Sequence, residues 1–331
     1  MKEIIINNQT EGGRLDKFLI KYLCNASGGF IYKMLRKKNI LLNDKKALGS
    51  EILKTGDSVK IYFSDDTIQK FTSENRDKSV RIKEPDKFSE KFSEMIVFED
   101  ENIIAVNKPS GMLSQNADNS ALSVNDLLLK YLKANEFFTP GISNRLDRNT
   151  SGLILAGKNP NAVRSLNSAI KERALTKLYL CVCLGKAPEN GNLEGYLVKD
   201  EDANTVSVTD KEMPGGDYIH TAFKRLSFSE NYSLLEVELI TGKSHQIRAH
   251  LASIGAPIAG DPKYGSAAAN LYVEKKYRIK SQLLHAYKIN FNNMPGCLEY
   301  LNKKSIISMP DKKFMEFIKG EGLCLPGNQE A

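Results

Sequence analysis

The sequence predicts an α+β protein with two structured parts: a small N-terminal module, and a larger domain in which helices flank a mixed or antiparallel β-sheet. The chain has 331 residues, more than the roughly 250–300 residues that one hydrophobic core usually serves. Beyond residue 95, alternating apolar runs typical of strands outnumber helical patterns. Residues 65–94 are rich in charge and poor in apolar periodicity. We therefore divide the chain into a module at 1–64, a charged linker at 65–94 and a main domain at 95–331.

The N-terminal module is predicted to contain two short helices and a small β-ribbon. Apolar residues recur at helical spacing over residues 14–23 and 30–35, and short strands at 40–43 and 58–63 follow. The module holds 12 Lys and Arg against 6 Asp and Glu, which is +6 of the chain's net charge of +7. Such a charge is typical of a protein with a polyanionic partner, usually a nucleic acid, although a solvated helix face can carry the same residues.

The main domain is predicted to open with a β-hairpin. Its strands are the apolar runs 95–98 and 103–106, and a helix is expected at 122–132. A polar loop at 144–152 ends in glycine and leads directly into a buried strand. Asp147 lies in this loop, where a carboxylate is usually only a turn former, so its position alone does not identify a site.

The remaining elements follow from caps and alternation. Asn159 supplies the cap, and Pro160 the first-turn proline, of a helix at 162–170. Residues 176–184 alternate as a strand. One face of that strand carries three side chains: Tyr179, Cys181 and Cys183.

A strand at 235–239 is expected to break at Gly242 and to enter a helix capped by Ser244. In this helix we place Arg248 in the second turn, at the margin of the apolar stripe. The stripe is expected to consist of three residues: Ile247, Leu251 and Ile254.

Composition and spacing exclude several kinds of site. No apolar run reaches the ~18 residues of a membrane helix, and we expect neither a membrane segment nor a signal peptide. The five Cys are scattered and odd in number, which favours a reduced, cytoplasmic protein. His245 and His250 are five residues apart with no acidic residue between them, so no metal site is expected. Residues 241–244 resemble the end of a P-loop, but Val237 stands where that loop needs glycine.

Three phrases of the N-terminal module resemble the αL-type RNA-binding module of a small-subunit ribosomal protein and many RNA-modifying enzymes. They lie at 14–19, 40–43 and 54–57. Two departures are Ser27-Gly28-Gly29, where that module usually has Ser-Arg-Ser, and Asn43-Asp44, where it usually has Asn-Gly. Six residues are expected to contact RNA: Arg14, Lys17, Lys33, Arg36, Lys37 and Lys38.

Six ordered phrases of the main domain resemble those of RluA-family pseudouridine synthases. The most specific is the loop Asn-Arg-Leu-Asp-Arg-Asn-Thr-Ser-Gly-Leu at 144–153, in which Asn144 stands where the family usually has His. The resemblance implies an RNA isomerase that cuts a uridine's glycosidic bond, turns the uracil and rejoins it through a ring carbon. Because nothing is oxidised and no group leaves, neither cofactor nor metal is required. The other phrases lie at 107–111, 177–179, 242–251, 260–265 and 284–286.

The resemblance also implies catalytic roles for three residues. Asp147 matches the family's indispensable aspartate, and the sequence leaves open whether it acts as covalent nucleophile or as base on the ribose. Arg248 matches the arginine that pairs with this carboxylate. Tyr179 matches the tyrosine that stacks on the uracil and is a candidate proton acceptor.

Three further residues are expected to bind the substrate. Arg145 matches the arginine that fills the space left by a base flipped out of folded RNA. Lys108 and Lys177 are expected to line the site or to meet backbone phosphates.

Family members that carry the basic module mostly act on large-subunit ribosomal RNA. We therefore expect that RNA, free or in an assembling particle, to be the partner of a monomeric enzyme. One alternative is a synthase that acts on transfer RNA. Another is a non-catalytic RNA-binding assembly factor, against which the presence of Asp147, Tyr179 and Arg248 argues.

Overall fold

The structure is a computed structural model, and it describes residues 1–7, 10–72, 92–116, 121–132, 138–200 and 205–325. Most of the linker predicted at 65–94 lies outside these described residues.

The N-terminal module is built around a four-stranded antiparallel sheet in the order β1-β4-β2-β3. The two predicted helices and both predicted strands are present, whereas the edge strand β1 was not predicted. Asn43 and Asp44 form the turn between β2 and β3 with φ of 51° and 61°. Asn and Asp tolerate this left-handed conformation, which explains how the hairpin forms without the usual glycine. The elements are β1 (Lys2–Ile5), α1 (Leu15–Tyr22), α2 (Gly28–Arg36), β2 (Ile40–Leu42), β3 (Lys45–Lys46) and β4 (Ser58–Ile61).

The start of the predicted linker is structured, contrary to the expectation. Helix α3 (Asp65–Thr72) packs Ile68 and Phe71 against the core of the module. The ring centroids of Phe71 and Phe30 are 4.9 Å apart. At the far end, Phe92 is fully buried in the core of the main domain. These apolar residues were hidden by the charged average composition of the segment.

The main domain contains an 11-stranded sheet among the described residues, with β11-β10-β12-β13-β9-β14-β8-β6-β5 as its main path. Strand β8 pairs in parallel with β14, and the other pairs are antiparallel. The predicted mixed-sheet α+β class is therefore confirmed. The strands are β5 (Ile96–Glu99), β6 (Ile103–Lys108), β7 (Gly141–Ile142), β8 (Ser151–Gly157), β9 (Leu175–Leu184), β10 (Asn190–Asp200), β11 (Thr205–Thr209), β12 (Asp217–Phe228), β13 (Tyr232–Leu239), β14 (Leu284–Phe291) and β15 (Ser305–Ile307).

Helices cover both faces of this sheet. Asn159 caps helix α5 (Pro160–Lys171) through its side chain and Pro160 lies in the first turn, as predicted. Strand β9 separates two apolar clusters, with Tyr179, Cys181 and Cys183 in one cluster and Val182 in another. The helices are α4 (Val124–Tyr131), α5 (Pro160–Lys171), α6 (Gln246–Ser253), α7 (Ala267–Tyr277), a 3₁₀ turn (Gly296–Leu301) and α8 (Lys312–Gly320).

Helix α6 differs from its prediction in three ways. Its N-cap is His245 in a left-handed conformation, and not Ser244. Arg248 therefore lies in the first turn, where it is buried. Ile254 follows the helix and is exposed, so the apolar stripe consists of Ile247 and Leu251.

We predict that substituting Gly152 destabilises the fold, because Gly152 lies at φ +115° against the backbone of Ala286 on β14. A Cβ here would overlap that backbone and strain its own. We expect Gly152→Ala to lower the free energy of unfolding by at least about 2 kcal/mol in urea titration. Gly29→Ala is the matched control, because Gly29 is helical with open space around it. That control should raise stability by up to about 1 kcal/mol, and equal effects of both variants would contradict the argument.

Candidate active site

Asp147 lies on the loop between β7 and β8, and hydrogen bonds hold the loop on either side of it. Ser114 Oγ donates to the carbonyl of Leu146 at 2.7 Å and accepts from its amide at 3.0 Å. The amide of Thr150 donates to the carbonyl of Asp147 at 3.1 Å. The backbone that presents the carboxylate is therefore fixed from both directions.

Asn144 anchors the start of this loop to β8. Its side-chain oxygen accepts from the amide of Leu155 at 2.8 Å, and its nitrogen donates to the carbonyl of Leu153 at 3.2 Å. Asn144, which stands in place of the usual His, thus makes two hydrogen bonds to the backbone of β8, three residues before Asp147.

Lys108 supports the loop from behind and does not line the cleft, contrary to the expectation. Its Nζ is fully buried and donates to the carbonyls of Pro109, Met112 and Arg148 at 2.8–3.0 Å. Burial lowers the pKa of Lys108 to about 7, against the opposing charge of Asp147. The side chain thus ties the turn after β6 to the residue that follows Asp147.

Arg248 brings two carboxylates together from the first turn of α6. Its Nη1 donates to Asp147 Oδ2 at 3.2 Å. Its Nε and Nη2 donate to the two oxygens of Asp261 at 2.6 and 2.8 Å. Arg248 is 4% exposed and Asp261 is 0% exposed, so the two-pronged pair between them fixes the guanidinium in place.

Charges inside this triad stabilise one another. Burial alone would raise the pKa of Asp261, but Arg248 and the amides of Lys263 and Tyr264 hold it below its ordinary value. Burial likewise opposes the charge of Arg248, yet Asp261 and Asp147 raise its pKa overall. Asp261 was not predicted as a site residue, although it lies in the phrase at 260–265. The signal that could have identified it is the need of a buried arginine for a second acceptor.

Tyr179 lies on β9 and faces the same cleft as Asp147. The side chain is 5% exposed. Burial, and then the charge of Asp147, raise the pKa of Tyr179 far above its usual value. The phenol is therefore protonated at neutral pH.

His245 was not predicted as a site residue, but its ring lies near the carboxylate of Asp147. The distance from Nε2 to Asp147 Oδ2 is 4.0 Å, and Nδ1 lies 3.0 Å from the hydroxyl of Tyr264. The Tyr264 hydroxyl also accepts from the amide of Val206 on β11, at 2.9 Å. Within the described ranges, no three His, Cys, Asp or Glu side chains cluster in a way that could hold a metal ion.

An open cleft of about 820 Å³ brings these residues together. Five of the six predicted main-domain site residues line it, namely Arg145, Asp147, Lys177, Tyr179 and Arg248. Arg145 is exposed, whereas burial and the neighbouring charge of Arg173 lower the pKa of the half-buried Lys177. In the part of the chain that the structure describes, neither Arg173 nor Lys177 has a carboxylate within ion-pair distance.

The six predicted RNA-binding residues belong to the N-terminal module and lie outside this cleft. Arg14 is paired with Asp16 at 2.7 Å, which leaves it half-exposed. The other five, Lys17, Lys33, Arg36, Lys37 and Lys38, are exposed. The module touches the main domain where Asn161 donates to Glu11 at 2.8 Å.

Comparison with known proteins identifies the family. The sequence model of RNA pseudouridylate synthase matches residues 102–253, which include Asp147, Tyr179 and Arg248. A ribosomal large subunit pseudouridine synthase C of Rickettsia felis is 36% identical over 300 residues, covering 86% of this chain and 90% of that protein. The chain belongs to the RNA pseudouridylate synthase family. An uncharacterized RNA pseudouridine synthase of Mycoplasma genitalium is 32% identical over 87% of this chain and 88% of its own.

Solved structures of the family share the fold. Human RNA pseudouridylate synthase domain containing 4 superimposes with a TM-score of 0.60 at 19% identity, over 73% of this chain and 98% of that one. Human RNA pseudouridylate synthase domain containing 1 gives 0.50 at 18% identity, over 68% and 94%. The family model and the Rickettsia felis relative confirm the expected RNA isomerase. Among the residues with described structure, no helix is long and apolar enough to cross a membrane.

Asp261→Asn should destabilise this enzyme and inactivate it, because the buried guanidinium loses half of its two-pronged partner. We expect the free energy of unfolding in urea to fall by about 3 kcal/mol or more, with a loss of pseudouridine formation under folding conditions. Asp217→Asn removes the partner of Lys243 in an exposed ion pair and should change stability by less than about 1 kcal/mol. Similar stability of the two variants would show that Asp261 does not fix Arg248.

Proposed function

We propose that this enzyme converts specific uridines of large-subunit ribosomal RNA to pseudouridine, with Asp147 as the reacting carboxylate. The observation that carries the proposal is the meeting of Asp147, Arg248 and Tyr179 in one cleft, with 3.2 Å between Arg248 Nη1 and Asp147 Oδ2. The reaction breaks the bond between uracil N1 and the ribose and forms a bond from C5 to the same ribose carbon. The C5 proton is released and N1 gains one, so the atoms balance without a cofactor.

Asp147 is suited to this reaction because it is half-buried beside a fixed cation. The side chain is 28% exposed and faces the cleft, where a flipped nucleoside can reach it. Arg248 balances its negative charge, so the carboxylate is available as a nucleophile on the ribose or as a base on it.

Tyr179 is assigned to stacking on the uracil. A buried phenol with a raised pKa is a poor base at neutral pH. Its ring, however, supplies the flat apolar surface on which an extruded base can stack. The hydroxyl remains available as a donor.

Positively charged side chains around the cleft would bind the phosphates of the RNA backbone. Arg145 is exposed at the cleft, two residues before Asp147, and can enter the space left by the extruded base. Extrusion costs a few kcal/mol of unstacking, which such contacts offset. Lys177 and Arg173 both line the cleft, and their side chains are suited to binding backbone phosphates.

Large-subunit ribosomal RNA is proposed as the substrate because of the relatives and the module. The Rickettsia felis relative is named for the ribosomal large subunit, as is a relative from Rickettsia conorii at 35% identity. The exposed cations of the N-terminal module add a second RNA-binding surface outside the cleft.

Asp147→Asn tests the catalytic assignment, since it keeps the size of the side chain and removes its charge. We expect tritium release from RNA labelled at uridine C5 to fall by at least about 100-fold, with RNA affinity retained. Asp217→Asn should leave the rate unchanged. Unchanged tritium release by Asp147→Asn would overturn the assignment.

The same variant, expressed in cells that lack the protein, tests the substrate. Pseudouridine should disappear from specific positions of large-subunit ribosomal RNA in the deleted cells. The wild-type chain should restore it at these positions, and Asp147→Asn should not. Loss from transfer RNA alone would identify the transfer-RNA alternative. The deleted cells could instead lose no pseudouridine and assemble defective ribosomal particles. If Asp147→Asn restores that assembly, the protein is a non-catalytic assembly factor.

Replacing Lys37 and Lys38 of the module by Gln should weaken RNA binding in a salt-dependent way. Each lost phosphate contact lowers the slope of log affinity against log salt by about 1. Lys312 and Lys313, adjacent and exposed on α8, provide a control with the same change in charge. Filter binding at several salt concentrations measures both, and equal slopes would argue against an RNA surface at Lys37 and Lys38.

A further inference from the structure

We infer that His245 is a positioning residue for Asp147: a neutral imidazole that, together with Arg248, holds Oδ2 and leaves Oδ1 to face the substrate. The inference rests on the proposed role of Asp147. His245 has no assigned function, and its place at the junction of the β13 loop and α6 is set by backbone geometry.

The backbone at His245 is strained in a way that aims the ring into the cleft. His245 is the N-cap of α6 with φ 58° and ψ 8°, and its side chain makes no capping hydrogen bond. A non-glycine residue is strained in this conformation, because its Cβ lies close to the neighbouring backbone. The side chain is 16% exposed and lines the cleft. Strain of this kind persists where the surrounding structure requires that orientation.

A chain of hydrogen bonds favours one tautomer of the His245 ring. The amide of Val206 can only donate, so the Tyr264 hydroxyl accepts from it at 2.9 Å. The hydroxyl hydrogen is then free to donate to His245 Nδ1 at 3.0 Å. With Nδ1 as acceptor, the proton of the neutral imidazole lies on Nε2. Nε2 is the nitrogen that faces Asp147.

The imidazole is neutral because of its surroundings. Burial lowers the pKa of His245, and Arg248 and Lys263 lower it further, while Asp147 and Asp261 oppose them. A neutral donor can orient the aspartate without neutralising it. The charge at Asp147 is then balanced chiefly by Arg248, which donates a hydrogen bond to it.

The side chains of Arg248 and His245 both face the same oxygen of the Asp147 carboxylate. Arg248 Nη1 lies 3.2 Å from Asp147 Oδ2 and His245 Nε2 lies 4.0 Å from it. The second distance exceeds a hydrogen bond, and a shift of about 1 Å on substrate binding closes it, as catalytic contacts commonly tighten in the complex. No described residue donates to Oδ1, which makes Oδ1 the oxygen that meets the ribose.

Two substitutions distinguish the roles of the two ring nitrogens of His245. Asn tolerates the left-handed backbone and can place its amide near Nδ1, but it has no atom that reaches Asp147. Gln can place an N–H donor near the position of Nε2. We expect His245→Asn to lower kcat by about 10- to 100-fold with KM for RNA nearly unchanged, and His245→Gln to recover at least fivefold of that loss. Equal kcat for the two variants, or a change confined to KM, would overturn the inference.

A measurement on the wild-type protein does not depend on activity. Imidazole ¹⁵N NMR at pH 7 should show His245 as the neutral form protonated on Nε2. An imidazolium, or a proton on Nδ1, would refute the arrangement. Asp147→Asn is assayed in parallel: if it stays active, the proposed function fails, whereas an inactive Asp147→Asn beside an unimpaired His245→Asn refutes the role of His245 alone.

Discussion

The site depends on one buried guanidinium shared between two carboxylates. Asp261, which is fully buried, takes the Nε and Nη2 edge of Arg248 and repays the cost of burying that cation. Only Nη1 is left to reach Asp147. The carboxylate of Asp147 is thus held by the remaining donor of a pair that is stable without it. This arrangement lets Asp147 remain half-exposed and still be oriented, because the rigidity comes from its neighbours.

The sheet brings those neighbours to one place. Strand β8 begins directly after the Asp147 loop and runs in parallel beside β14, with Gly152 allowing the close approach at Ala286. Strand β9 lies on the other side of β14 and presents Tyr179. Lys108, at the end of β6, binds the loop from beneath. Each of these contacts is made by backbone or by buried side chains, so solvent competes with none of them.

Features that depend on neighbours in sequence were predictable. The cap of α5 at Asn159 and the two faces of β9 follow from local spacing, and the loop of Asp147 was recognisable from its residues. Features that depend on distant partners were not. Asp261 and His245 are placed in the site by their contacts with Arg248 and Tyr264. Lys108 was expected to line the site or to meet backbone phosphates, although three carbonyls enclose it. Strands β10 and β12 pair with each other over eight residues, yet their mixed polar sequence gave no prediction.

The distances along the chain between these partners affect the order of assembly. The contact between Asp147 and Arg248 spans 101 residues, and the parallel pairing of β8 must wait for β14. The N-terminal module, in contrast, closes by Thr72. A chain emerging from the ribosome therefore completes its basic module long before the cleft around Asp147 forms, since non-local pairings form late. A chain cut short before β14 would therefore contain a folded basic module but no complete cleft around Asp147.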